Sequence, residues 1–285
     1  MDIRTLDPAD FPPLLREIPD PPKTLYVRGT LPDPATHTYI TVVGSRKYST
    51  YGKEVVEKLI GGLSGFPVAI ISGLALGMDA LAHRAAIEAN LPTIGVPGSG
   101  LDWNVLYPRT NVNLAKEIIA KGGALLSEYP PETRAALYTF PRRNRIMAGM
   151  ARATLLIEAG EKSGTLITAR LVGDYNRDLL VVPGSIFSPS SVGVHQFLKL
   201  GATPITSSDD LLEAIGFEAK ESTTPKQHDL SENEQRVFEI ISAGEISRDE
   251  LTELLELPTH ETSALLSMLE LKGVIKEELG YIHLV

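Results

Sequence analysis

Cysteine is absent from all 285 residues, which excludes disulfides, a thiol nucleophile and a thiolate metal site. No run of roughly 18 or more apolar residues occurs, so neither a transmembrane helix nor a membrane partner is expected. The opening Met1–Asp7 has no basic region and no apolar run. No secretion signal is therefore expected, and a cytoplasmic location is. The 6 histidines are scattered and form no zinc pattern, so no metal is expected. No Gly-x-Gly-x-x-Gly follows the first strand and no P-loop signature appears, which leaves a dinucleotide enzyme or an NTPase without support. No cofactor is expected. Ser72, Ser99, Ser163 and Ser185 are hydroxyls without a base at a recognisable spacing. Asp79 and His83 lie on one predicted helix, where a capping Asp and a packed His account for them as well as any chemistry does. No catalytic residue is expected.

Basic charge is also scarce overall: the net charge is −9. Its distribution matters more than its sum. From Asp229 to Val285 there are 13 Asp and Glu against 4 Lys and Arg, which leaves 23 of each sign in residues 1–228. The acidity belongs to the C-terminal segment, and the larger part is neutral and free to carry a basic face.

What the larger part does have is alternation. Short β-branched apolar runs at 39–43, 68–71, 93–96, 124–127, 153–157 and 179–182 are separated by predicted helices near 50–63, 78–90, 113–121 and 166–176. Such unalternating strands between helices mean a mostly parallel sheet covered on both faces. The fold class is α/β, a Rossmann-like doubly wound sheet over 39–216, followed by a small winged helix. Residues 1–38 are proline-rich and read as a lead-in packed on this domain, with a short edge strand near Leu25–Gly29. Residues 217–228 are polar and aperiodic, a linker.

The strands end in recurrent turns: Gly44-Ser45-Arg46, Ser72-Gly73, Pro97-Gly98-Ser99-Gly100, Glu158-Ala159-Gly160 and Pro183-Gly184-Ser185. In an open α/β sheet that edge is where ligands sit, glycine permits close backbone approach, and helix N-termini attract anions. Phe140-Pro141-Arg142-Arg143-Asn144-Arg145 opens a further helix with three guanidinium groups in four positions. Arginine's planar fork suits phosphate, and Phe140 offers a flat face for a base. A solvated helix start, or pairing with carboxylates, is the plainer account of the same residues. Taken with the strand-end turns, the stretch points to an anionic ligand.

In residues 229–285, Ser231 and Glu234 have capping-box spacing, and a second helix begins at Ser247 and a third at Thr259. A hairpin near 274–284 completes a winged helix. Its third helix sets Glu261 and Glu270 where a duplex binder would need cations, so a protein contact is the favoured role.

Several of these motifs carry a resemblance. Val43-Gly44-Ser45-Arg46, the run Ser72–His83, Tyr107-Pro108, Ser127-Glu128-Tyr129-Pro130, the run Phe140–Ile146, and Glu158-Ala159 followed by Ser163-Gly164-Thr165-Leu166 resemble the DprA/Smf family of DNA-processing proteins. The match runs from about Phe11 to Gly216, and the acidic C-terminal segment is similar to the winged helix many members carry. The sterile-alpha-motif-like domain of some members has no counterpart in this sequence. The resemblance implies a non-enzymatic homodimer that binds and protects single-stranded DNA and helps load a strand-exchange recombinase during natural transformation. It implies that Arg46, on its Gly44-Ser45 turn, holds a phosphate, and that Gly73 offers backbone N–H contacts. It implies that Arg142, Arg143, Asn144 and Arg145 line the same basic pocket, where Phe140 stacks or packs beneath them. Lys162, Ser163, Gly164 and Thr165 would form another phosphate-binding turn. Two rivals stand beside it. One is a nucleotide-binding enzyme of the phosphoribohydrolase type, whose Pro-Gly-Gly-x-Gly-Thr turn is here Glu161-Lys162-Ser163-Gly164-Thr165. The other is an adaptor acting through its winged helix.

Overall fold

A computed structural model describes residues 2–217, 231–242, 246–255, 257–272, 274–278 and 280–284. The chain divides into two compact units, 1–220 and 221–285. The expected linker at 217–228 lies outside the described residues except for Phe217. That residue belongs to the first unit, with its ring edge-on to Phe66 at 5.6 Å.

The first unit is built on a nine-stranded sheet in the order β1-β2-β6-β5-β4-β3-β7-β8-β9. Its strands are β1 (Ile3–Leu6), β2 (Leu25–Gly29), β3 (Thr38–Val43), β4 (Val68–Ser72), β5 (Thr93–Gly95), β6 (Ala124–Ser127), β7 (Ala153–Leu156), β8 (Asp178–Val181) and β9 (Thr203–Pro204). From β6 through β9 every pairing is parallel. The lead-in does more than pack on this sheet. β1 and β2 join it as antiparallel strands, with Val27 opposite Leu126. Leu25 and Val27 are fully buried, so this proline-flanked segment has an apolar face that pairing with β6 removes from water.

Alternation along β3 sorts the core into two layers. Tyr39 and Val43 join one cluster, with Leu15 of α1 (Pro13–Arg16), Met147 of α5 (Thr139–Met150), Leu166 of α6 (Thr165–Asp174) and Phe197 of α7 (Val192–Lys199). Ile40 and Val42 join the other, with Leu59 of α2 (Thr50–Gly61), Met78 of α3 (Met78–Glu88) and Leu211 of α8 (Ser208–Ala214). The helix α4 (Val112–Ala120) closes a smaller cluster around Leu125. Side chains such as Ile70 and Leu155 have no exposure at all. Each contributes about 1.5–3 kcal/mol through burial.

The strand order decides where a ligand can sit. The chain leaves β3 through β4, β5 and β6 on one side and returns through β7, β8 and β9 on the other. The reversal falls between β3 and β7, where Val43 pairs with Leu156. Connections on the two sides diverge there and leave a crevice at the carboxyl ends of the strands.

The second unit contains α9 (Glu232–Ser242), α10 (Arg248–Leu255), α11 (Thr259–Leu271) and a three-stranded sheet β10-β12-β11. Here β10 is Ile246–Ser247, β11 is Ile275–Glu278 and β12 is Tyr281–Leu284. The Glu234 carboxylate accepts the Ser231 N–H at 2.7 Å, and the Glu250 carboxylate accepts the Ser247 N–H at 3.1 Å. Both helix starts foreseen from spacing are thus closed by their own side chains. The hairpin expected near 274–284 forms as β11 and β12, and β10 adds a third strand. At two residues it is too short to show a pattern.

Candidate functional site

A cleft of about 540 Å³ opens at the β3/β7 crevice. Four segments form it: the Gly44–Lys47 turn after β3, Ala75 and Asp79 after β4, α5 with Leu137 before it, and Ser163–Thr168 at the start of α6.

The turn is held from several sides. The Ser45 hydroxyl accepts the Lys47 N–H at 3.0 Å and donates to the Lys47 carbonyl at 2.7 Å, so Ser45 shapes the turn. The Ser45 carbonyl accepts the Met78 N–H at 3.1 Å, which ties the turn to α3. Gly77 makes this possible: its φ is +81°, and a Cβ there would overlap the Arg46 backbone. Beyond the turn, the buried Glu158 carboxylate accepts the Ser49 N–H at 3.0 Å and the Ser49 hydroxyl at 2.6 Å. Ser49 in turn caps α2 by accepting the Gly52 N–H at 3.0 Å. The result presents Arg46 and Lys47, both exposed, on one wall of the cleft. The Arg46 guanidinium lies 5.7 Å from the centre of the Phe140 ring.

The three arginines of α5 go three ways. Successive helical residues are turned by about 100°, so Arg143 and Arg145 face away from each other. Arg143 is 4% exposed and forms the cleft floor. Its Nη1 donates to the carbonyls of Gly73 and Val96, at the ends of β4 and β5, and its Nε donates to Asn144 Oδ1 at 3.2 Å. Burial pulls its pKa down to about 10, with Asp79 opposing the shift. It stays charged at neutral pH. Burial raises the Asp79 pKa, and the Arg143 charge counters that. Gly73 therefore serves by leaving space: a Cβ there would overlap the Arg143 guanidinium and the Asp79 carboxylate. Arg145 is drawn off the cleft, to the Glu128 carboxylate and to Asp20 at 3.5 Å. Arg142 is exposed and, like Arg145, is not among the lining residues. Of Arg142, Arg143, Asn144 and Arg145, the structure brings Arg143 and Asn144 to the cleft lining.

The α6 end is closed by hydroxyls. Ser163 Oγ accepts the Thr165 N–H at 3.2 Å and donates to Thr165 Oγ1 at 2.9 Å. Thr165 Oγ1 donates to the Gly44 carbonyl at 3.0 Å, joining this helix start to the end of β3. Gly164 lies open on the cleft with no neighbour within 4 Å of an added Cβ. The helix N-terminus there favours an anion. Lys162 is exposed and outside the lining.

Sequence reasoning missed part of the lining. Lys47 stands beside Arg46, and adjacency to a turn arginine was the signal available. Leu137, 91% exposed, and Ile167 give the cleft an apolar wall that no periodicity foretells. Tyr107 packs its ring 5.7 Å from Phe140, and the two help to line a small niche beside the cleft. Arg46, Ala75, Phe140 and Arg143 line both the cleft and the niche. His83 lies in the core with Nδ1 2.7 Å from Thr93 Oγ1. Burial, aided by the Arg143 charge, lowers its pKa to about 3. The cleft hydroxyls Ser45, Ser163 and Thr165 are bonded to backbone or to one another, so the arrangement suits binding of an anion with flat faces.

Comparison with known proteins meets this geometry. A family model described as DNA recombination-mediator protein A matches residues 2–216, and one described as the DprA winged helix domain matches 221–280. Protein Smf of Escherichia coli is 36% identical over 282 residues, covering 95% of this chain and 74% of that protein. The DNA processing protein DprA of Streptococcus pneumoniae is 41% identical over 207 residues, covering 73% and 72%. The crystal structure of that protein superposes with a TM-score of 0.68 at 37% identity, over 76% of this chain and 75% of the other. A Helicobacter pylori DNA processing protein A, described for its single-stranded DNA binding mode, superposes with a TM-score of 0.65 at 28% identity, over 75% and 95%.

Proposed function

The chain belongs to the DNA recombination-mediator protein A family, and on that footing we propose that it grips single-stranded DNA in the β3/β7 cleft as a mediator of recombination during DNA uptake. The carrying observation is that the cleft lining combines two chemistries. Arg46, Lys47 and the α6 start offer charge and N–H groups, whereas Phe140, Leu137 and Ile167 offer apolar faces. A phosphodiester chain with unstacked bases has that same division. A duplex hides its bases, so the apolar wall would go unused. The H. pylori relative with a described single-stranded DNA binding mode supports the polymer assignment.

In this reading the protein works by binding, without a catalytic step, in the cytoplasm. Its partners are single-stranded DNA, a strand-exchange recombinase and a second copy of itself. A homodimer would set two clefts on one strand and raise the apparent affinity through effective concentration. The C-terminal unit faces protein. Its Arg248 is paired with Glu277 at 2.6 Å and its Lys272 with Glu234 at 2.7 Å. Its third helix exposes His260, Glu261, Met268 and Glu270.

Fluorescence anisotropy of labelled oligo-dT tests the reading, with wild type and Arg46→Ala/Lys47→Ala at two salt concentrations and duplex as competitor. The expected result is binding that weakens with salt, falls about tenfold or more in the variant, and resists duplex. Binding indifferent to both residues overturns the cleft assignment and calls for a screen of free nucleotides.

A further inference from the structure

A second hollow, about 570 Å³, opens on the same edge of the sheet beyond the ends of β7 and β8. Its lining differs from that of the first. Ser49, Tyr51, Ser185, Ser188 and Ser191 supply hydroxyls, and among the described residues that line it there is no lysine or arginine. At its floor the Glu158 carboxylate is already bonded to Ser49 and to the Ser190 hydroxyl at 2.8 Å. A phosphate would meet a carboxylate there and no counter-charge, so the hollow suits an uncharged, hydrogen-bonding group. Its rim carries flat and apolar surface. The Tyr51 ring is 48% exposed and fixed by a 2.7 Å hydrogen bond from its hydroxyl to the Pro183 carbonyl. Ile186 and Phe187, 79% and 90% exposed, stand between the lining residues Ser185 and Ser188.

The two hollows approach each other along the 47–49 segment. Lys47 lines the first and Ser49 the second. Two residues span at most about 7 Å, a short step for an extended strand. Resting on the single-strand reading above, we infer that the second hollow takes the base and deoxyribose of a nucleotide adjoining those whose phosphates lie on Arg46 and Lys47, with Phe187 and Tyr51 as its stacking faces. The first cleft then sets affinity through charge, and the second extends the site through base contact.

The test compares short (~6-nucleotide) and longer (~16-nucleotide) oligo-dT, lengths that bracket single-strand site sizes. Further long strands carry abasic units toward one end or the other, which keep the phosphates and remove the bases. Phe187→Ser alters a side chain that is almost wholly exposed, so folding is preserved. Ser185→Asp keeps an acceptor for the Phe187 N–H, bonded at 3.2 Å, and adds negative charge at the rim. Both variants should bind the short strand like wild type and the longer strand about fivefold more weakly. Abasic units at one end should produce the same loss in wild type and none in Phe187→Ser. Arg46→Ala should weaken both lengths. Equal binding of the longer strand by wild type and both variants, or indifference to abasic units, overturns the inference and leaves the first cleft standing. So does an equal loss on both lengths with a changed sedimentation coefficient, which would make the 186–187 loop a self-association surface. Failure of wild type to bind either strand overturns the single-strand reading and this inference together.

Discussion

The two units handle positive charge in opposite ways. The first is neutral overall, yet it buries Arg143 and Arg145 and sets two cations side by side at the rim of a cleft. Arg143 lies under the floor, bonded to the ends of two strands, while Arg46 and Lys47 stand above it in water. The second unit carries the whole acidic surplus and joins Arg248 and Lys272 to its own glutamates. Net charge alone would rank the chain as a poor partner for DNA. The arrangement of a few cations reverses that, because screening confines an exposed charge's reach to about 10 Å. The unit with fixed, clustered cations is the one suited to a polyanion.

The contrast is broken most severely at the floor. Arg143→Ala should lower the stability of the first unit by about 3–5 kcal/mol, because it strands two buried carbonyls and the Asp79 carboxylate. Urea denaturation followed by circular dichroism measures this. Acid should come next. With a folded pKa of about 3 and an unfolded one near 6.5, His83 binds its proton more readily in the unfolded chain. Stability from this group is complete above pH ~6.5 and declines toward pH ~3, by up to about 1.4 kcal/mol per pH unit. His83→Gln should flatten that slope in denaturation curves taken from pH 7 to pH 4.

The rim carries the next effect. Arg46→Ala/Lys47→Ala should leave stability within about 0.5 kcal/mol of wild type, since both side chains are exposed. It should reduce the salt dependence of DNA affinity by one or two charges' worth. The smallest change is expected in the other unit. Arg248→Ala breaks a half-exposed pair and should cost about 0.2–1 kcal/mol, with DNA affinity unchanged. A loss of DNA affinity in that variant would erase the division of labour between the units.

Gly44-Ser45-Arg46 stood out as a strand-end turn with a cation beside it, whereas Ser163-Gly164-Thr165 drew notice only through the family resemblance. Arg143 and Arg145 were not separable. Both sit in one basic run, and only the neighbours decide their roles: Glu128 is brought to one, and the ends of β4 and β5 to the other. Gly73 drew notice for the right turn, though what the turn needs is the missing Cβ. The hollow beyond β8 showed in the sequence only as the strand-end turns Glu158-Ala159-Gly160 and Pro183-Gly184-Ser185, because serines in loops look alike until Glu158 and Tyr51 are placed among them.

By itself the sequence determined the α/β alternation, the capped helices of the C-terminal unit and the division of charge between the units, because these depend on spacing and composition within short windows. The tertiary structure alone decided that β1 pairs outside β2 at the sheet edge, that Lys47, Leu137 and Ile167 line one cleft with Phe140, and which of the buried arginines reaches that cleft. Each of those depends on residues far apart in the chain, whose contacts exist only once strand order has placed β3 beside β7.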